Sequence, residues 1–160
     1  TTDALAFDAI VTTTIRPSRA SDREELVRMV TTLWPDATEN DVEKMLALPP
    51  AEGIVLVAER GDGTLGGFAE IGTRKYAEGC DTSPVAYLEG IWTASDLRRI
   101  GIASDLVREA EAWARFSGLT EFASDSQIDN HGSEAFHIAA GFEEAERSIC
   151  WRRAVPPQPS

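Results

Sequence analysis

Apolar positions recur along this chain with two different periods, and the period changes near residue 53. Before it, Leu26, Val27, Met29, Val30 and Leu33 in "SDREELVRMVTTLW" fall at three- and four-residue intervals, the stripe of an amphipathic helix. Ser21 with Glu24 three residues on reads as the capping box that opens this helix, and Pro35 closes it. A second, shorter helix is expected in "TENDVEKMLAL", from a Thr38 cap to the Pro49-Pro50 pair. Ahead of both, the β-branched "TTTIRPS" predicts a short strand that Pro17 ends.

Past residue 53 the apolar residues run together. "GIVLVAER" (53–60) and "TLGGFAEIGTR" (64–74) flank "GDG", a hairpin signal, and "VAYLEGIWT" (85–93) reads as another strand. The helical period returns in "LRRIGIASDLVREAEAWARFSG" (97–118). "LTEFASD" then predicts a strand, "GSEAFHIAAGF" a short helix stopped by Gly141, and "FEEAERSICWRRAV" a final strand or pair of strands. This order belongs to an α/β or α+β fold with a mixed sheet. The strand–loop–helix–strand unit over 85–125 implies one parallel crossover of right-handed sense. A single domain is expected over 1–155, with 1–12 a loose arm and 156–160 a disordered tail.

Composition narrows the setting. Hydrophobic residues at 42% and charged residues at 26% are ordinary for a globular chain. No apolar run approaches the roughly 20 residues that span a bilayer, and the first residues lack the pattern of a secretory signal. Two cysteines, Cys80 and Cys150, and two histidines offer neither a disulfide framework nor a zinc spacing, so a reducing cytoplasm and no metal are expected. Fifteen basic against 27 acidic side chains give a formal charge of −12. Such a surface disfavours nucleic acid and anionic membrane as partners and favours cations.

Against that acidity, the start of the 97–118 segment stands out. Arg98 and Arg99 supply positive charge, and Gly101 and Ala103 keep the backbone accessible. The first helical turn leaves amide N–H groups without intrahelical acceptors, and the helix dipole adds to them. The stretch therefore reads either as an anion cradle or as a solvated cap. It is neither a P-loop nor a G-x-G-x-x-G turn.

Arg98-Arg99-Ile100-Gly101-Ile102-Ala103, placed after a strand, resembles the Arg/Gln-x-x-Gly-x-Gly/Ala signature of the GNAT superfamily of acetyl-CoA-dependent N-acetyltransferases. "IRPSRASD" near the start and "NHGSEAFHIAAGF" near the end strengthen the resemblance. It implies a mixed, mostly antiparallel central sheet flanked by helices, with the parallel crossover at the acetyl-CoA site. By the same resemblance, Arg98, Arg99, Ile100, Gly101, Ile102 and Ala103 hold the coenzyme A pyrophosphate. Backbone groups of Ile91, Trp92 and Thr93 pair with the pantetheine arm, and Asn130 lies beside it.

"LWPDAT", "GGFAEIGTRKYAEGCDTSPVAYLEGIW", "ASDSQIDN" and "AFHIAAGFEEAER" resemble one branch of that superfamily, the aminoglycoside 6′-N-acetyltransferases. The implied substrate is a small polycation coated with hydroxyls, which calls for carboxylates and for flat side chains against sugar faces. Trp34 and Tyr76 are the implied flat contacts; Glu89, Asp125 and Glu146 are the acidic ones, and Glu70 points toward the same cleft. Asp125 is expected to orient the amine and take its proton, with Glu89 the alternative base. Backbone N–H groups on the strand ending at Thr93 would polarise the thioester carbonyl. Many GNAT enzymes carry a tyrosine before "x-x-x-G-F", where this chain has His137; it either protonates the departing thiolate or packs as an ordinary helix residue. No covalent intermediate is implied, so Cys80 and Cys150 are expected to pack. The branch resembles dimer formers, and a homodimer is expected. Two other readings compete: a GNAT enzyme for a polyamine or protein amine, and a non-catalytic acetyl-CoA-binding regulatory domain. Glu89, Asp125 and the aromatic pair speak against the second.

Overall fold

The computed structural model describes residues 13–159, so the arm expected over 1–12 and the last residue of the tail lie outside it. Five strands pair in chain order into one sheet: β1 (Thr14–Pro17), β2 (Gly53–Glu59), β3 (Leu65–Arg74), β4 (Val85–Thr93) and β5 (Phe122–Ser124). The first three pairings are antiparallel, and β4 with β5 is parallel. The mixed sheet and its one parallel pair are as expected. The "GDG" turn closes the β2–β3 hairpin, with Gly63 at φ +86° and Arg60 N–H donating to Thr64 O at 2.8 Å. Only glycine enters that backbone region without steric cost.

Among the described residues, four α-helices cover the two faces. α1 (Arg23–Leu33) and α2 (Glu39–Ala47) lie on one, where Leu26, Val30 and Val42 pack on Val57 and Phe68. α3 (Ile102–Phe116) covers the other with Ile102, Leu106, Val107 and Ala110 against Leu56, Ala69, Ile71 and Leu88. Phe68 and Leu106 are wholly buried, and each such side chain stabilises the fold by about 2 kcal/mol through removal from water. α4 (His131–Ala139) contributes no buried residue and rests its Phe136 on the α3 core.

Two expectations change. The turn into α1 is capped not by Ser21 with Glu24 but by Asp22, whose carboxylate accepts the Arg19 N–H at 2.7 Å. Arg16 decides this: its guanidinium grips both Asp22 oxygens at 2.8 and 2.9 Å and also pairs with Glu59. Arg23 opens α1 directly behind that three-residue 3-10 turn. α2 begins as predicted, with Thr38 and Asp41 capping each other.

The second change is larger. "FEEAERSICWRRAV" forms no strand; residues 142–159 have no regular structure, and Ile149, Trp151 and Val155 are 78, 89 and 91% exposed. A strand needs a neighbour, and among the described residues β5 pairs over only three positions. The tail expected at 156–160 continues that exposed stretch as far as it is described.

Candidate active site

Strand alternation puts Phe68, Glu70, Gly72 and Arg74 on one face of β3. Phe68 belongs to the core beneath α1 and α2, so the polar members of the row open on the same side of the sheet. On β4 a bulge redirects one residue. Glu70 faces Gly90 and Ile71 faces Leu88, which leaves Glu89 as the extra residue between them. Glu89 lies over Gly72, where an added Cβ would come within 3.7 Å of its Oε1.

Arg74 meets Glu89 there with both prongs, Nε 3.0 Å from Oε1 and a terminal nitrogen 2.7 Å from Oε2. Such fork-to-carboxylate pairs fix geometry as well as charge. The same guanidinium sits 3.5 Å above the Tyr87 ring, and the Tyr87 hydroxyl donates to Asp125 Oδ1 at 2.9 Å. Asp125 follows β5 directly. One bulge, one strand end and one strand exit thus join three carboxylates, a guanidinium and a phenol.

The electrostatics follow from burial. Desolvation first, and the charge of Glu89 second, push the Glu70 carboxyl up to about 7. The hydrogen bonds and charge of Glu89 hold Arg74 above its ordinary value against desolvation, and Tyr87 and Asp125 add to this. Burial, then the bond to Asp125, raise the Tyr87 hydroxyl.

Trp34, the residue that ends α1, lies across Gly90; a Cβ there would come within 2.2 Å of its Cη2. Its other side meets Phe68 edge-on at 6.3 Å between centroids. An open cleft of about 330 Å³ runs beside it, lined by Trp34, Glu70, Asp41, Lys44 and apolar residues of α1 and α2. Tyr76 stands 67% exposed on the loop after β3. A larger hollow of about 520 Å³ contains Glu25, Arg28, Arg60 and Trp92, where Glu25 accepts from Leu65 N–H and Arg60 pairs with Asp96. Of the three carboxylates, Glu70 lines the smaller cleft, and Glu89 and Asp125 lie further along the same face of the sheet.

The arginine–glycine turn follows β4 after a short 3-10 turn, Ser95–Leu97. Arg98 reaches back to accept no proton but to donate from Nε to Thr93 O at 3.1 Å, tying the strand end to the helix start. Arg99 and Gly101 both adopt left-handed backbone, φ +62° and +92°, and Gly101 is the N-cap of α3. Left-handed residues in a turn ahead of a helix produce the concave amide run that binds anions. A Cβ at Gly101 would meet nothing within 4 Å, so the approach is open. Ile100 and Ile102 turn into the α3 core and anchor the loop. These groups fit a pyrophosphate. Ile91 and Trp92 bury part of their side chains on opposite faces of the sheet, which leaves the backbone of β4 as their offering.

Other predicted residues fall elsewhere. His137 bridges α4 to β5: Nδ1 donates to Ser133 O at 2.7 Å, and Nε2 lies 2.8 Å from Ser124 Oγ. Its ring also contacts Phe136 and Phe142. Asn130 uses its side-chain oxygen to cap α4 through Ser133 N–H. Glu146 is exposed at the root of the C-terminal stretch. Cys80 is partly buried and its thiol is raised by desolvation, and then by Glu121; Cys150 is exposed, against the expectation that it packs, because the segment around it lies off the body. Arg74 and Tyr87 escaped prediction, although the two-residue spacing Glu70, Gly72, Arg74 on one strand was the available signal. Among the described residues, no group of three or more His, Cys, Asp or Glu side chains is placed to hold a metal, and no helix is long and apolar enough to cross a membrane.

The model of the acetyltransferase (GNAT) family matches residues 21–142. An aminoglycoside N(6′)-acetyltransferase type 1 from Klebsiella aerogenes is 40% identical over 146 residues, covering 88% of this chain and 96% of that protein. The crystal structure of the aminoglycoside antibiotic 6′-N-acetyltransferase AAC(6′)-Ih from Acinetobacter baumannii superposes with a TM-score of 0.84 at 36% identity, over 90% of this chain and 99% of that one. AAC(6′)-Iy in complex with the bisubstrate analogue CoA-S-monomethyl-acetylneamine gives 0.82 at 33%, over 89 and 99%.

Proposed function

The chain belongs to the GNAT acetyltransferase family, and from that premise we propose that it transfers the acetyl group of acetyl-CoA to the 6′-amine of aminoglycosides. The carrying observation is the convergence of Glu70, Glu89 and Asp125 on one face of the sheet, beside Trp34. Such a face attracts ammonium groups and covers a sugar ring. The relatives named for this activity, at 32–41% identity over most of the chain, support the same substrate class.

The nucleophile has to be a neutral amine. Asp125 takes the role of orienting it and accepting its proton: Tyr87 occupies one carboxylate oxygen and fixes the group, leaving the other to face an acceptor. Glu70, held near neutrality by burial, is the second candidate for the proton, since an acceptor works best with a pKa near the working pH. Glu89, the alternative base, is less available because Arg74 takes both of its oxygens. Backbone N–H groups near Thr93 polarise the thioester carbonyl, and the Arg98–Ala103 turn anchors the pyrophosphate. His137 serves as a positioning residue for the β5 exit through Ser124, or as the acid for the thiolate. Most of the remaining acceleration comes from holding two substrates together.

A homodimer is part of this reading. Residues 148–155 have strand-forming sequence and exposed apolar side chains, and among the described residues β5 has β4 as its only strand neighbour. A second copy that supplies the missing strand satisfies both, and Glu146 then contributes to the substrate site from the base of that arm. Sedimentation of the full chain against one ending at residue 147 tests it; a full-length monomer refutes it.

The activity is tested by thiol release from acetyl-CoA with kanamycin, with a kanamycin analogue lacking the 6′-amine, and with spermidine. Turnover with kanamycin alone is expected. Equal turnover with the analogue would refute the 6′ assignment, and preference for spermidine would favour a polyamine enzyme.

A further inference from the structure

The acidic face carries a cation of its own. Arg74 directs two donors at the two oxygens of Glu89 and stacks on Tyr87, which is itself bonded to Asp125. An ammonium that reaches Glu89 therefore finds one lone pair on each oxygen already taken by a matched fork. Two cations cannot share that carboxylate at close range without repulsion.

The two partners are held very differently. Glu89 is fixed by the bulge over Gly72, and its side chain is 28% exposed. Arg74 is the last residue of β3, and its side chain is 45% exposed. The guanidinium can leave for water along a flexible stem while the carboxylate stays in place. The Arg16–Asp22 pair is the contrasting case: with side chains 13 and 7% exposed, it is built into the joint between β1 and α1.

We propose that Arg74 is a specificity-determining residue, a built-in counter-cation that substrate ammonium groups displace from Glu89. This rests on reading the cleft as the aminoglycoside site. A singly charged amine exchanges one ion pair for another and gains little. A polycation that meets Glu89 together with Asp125 or Glu70 gains more than it displaces. Arg74 thus sets how much positive charge an acceptor needs.

The test is Arg74→Gln, with Arg74→Lys beside it, assayed with kanamycin and with 6-amino-6-deoxyglucose, a sugar bearing one ammonium. In Arg74→Gln the KM for kanamycin is expected to fall about three- to tenfold at low salt, and the single-ammonium sugar to gain by at least the same factor. The gain shrinks in about 0.5 M salt, and the KM for acetyl-CoA stays unchanged. Arg74→Lys, which keeps the charge and loses the fork, falls between. An unchanged or higher kanamycin KM, or a fall in kcat alone, would overturn the proposal and make Arg74 a brace for Glu89. If the unmodified chain released no thiol with kanamycin, the activity reading would fail by itself. Calorimetric titration of kanamycin into both forms then decides Arg74: tighter binding to Arg74→Gln upholds displacement, and equal, weaker or no binding refutes it.

Discussion

The proposed cradle at the start of α3 and the acidic face beside Trp34 are built on opposite plans. The proposed anion cradle is one uninterrupted run, Arg98 to Ala103, and its shape comes from backbone conformation and a helix end. The acidic face is gathered from β3, β4, the exit of β5 and the end of α1, and its character comes from side chains. The first depends on local chain geometry and the second on register. A local device tolerates change in the rest of the fold, whereas a gathered one is retuned by any neighbour that shifts a strand.

Charge separates the two regions most sharply. Asp125→Asn keeps the oxygen that Tyr87 bonds and removes the carboxylate, so kcat with kanamycin should drop about a hundredfold or more. Steady-state kinetics should show the KM for acetyl-CoA unmoved, and an unchanged kcat would remove Asp125 from its role. Arg98→Gln is the reverse experiment. It should raise the KM for acetyl-CoA about tenfold and leave that for kanamycin alone. Should both constants rise together, the regions are coupled through the Arg98–Thr93 bond rather than independent.

A smaller effect sharpens the electrostatic side. Glu70 is raised from 4.5 to about 7 in the folded chain, so the folded state binds its proton more tightly than the unfolded one. The stability this contributes is complete below pH 4.5 and is lost as the pH rises through about 7. Glu70→Gln should accordingly raise the melting temperature by a few degrees at pH 8 and by less at pH 5. Equal shifts at both pH values would mean that Glu70 is not held in a desolvating site.

The residues of the two regions differed in how readily the sequence revealed them. Arg98 to Ala103 stood out locally, because two arginines and small residues at a helix start form a local pattern. That pattern alone left an anion cradle and a solvated cap both open. Asp125 and Glu89 were identifiable as acidic members of a resembling family, but nothing local tied them to each other. Arg74 and Tyr87 were missed because their roles exist only once β3 and β4 are in register. Asp22 took the cap from Ser21 for a similar reason, since Arg16 lies on a neighbouring strand.

By itself, the sequence determined the order of strands and α-helices from β1 to α4, though not the turn into α1, since hydrophobic period, proline and glycine act within a few residues. It determined the excess of negative charge as well. Tertiary structure decided which carboxylates meet, that a bulge presents Glu89, and that Arg74 neutralises it. It also decided that the β-like C-terminal stretch finds no strand partner within the described chain. Those outcomes depend on pairing between distant segments, and a strand's propensity becomes a strand only where a neighbour accepts its hydrogen bonds.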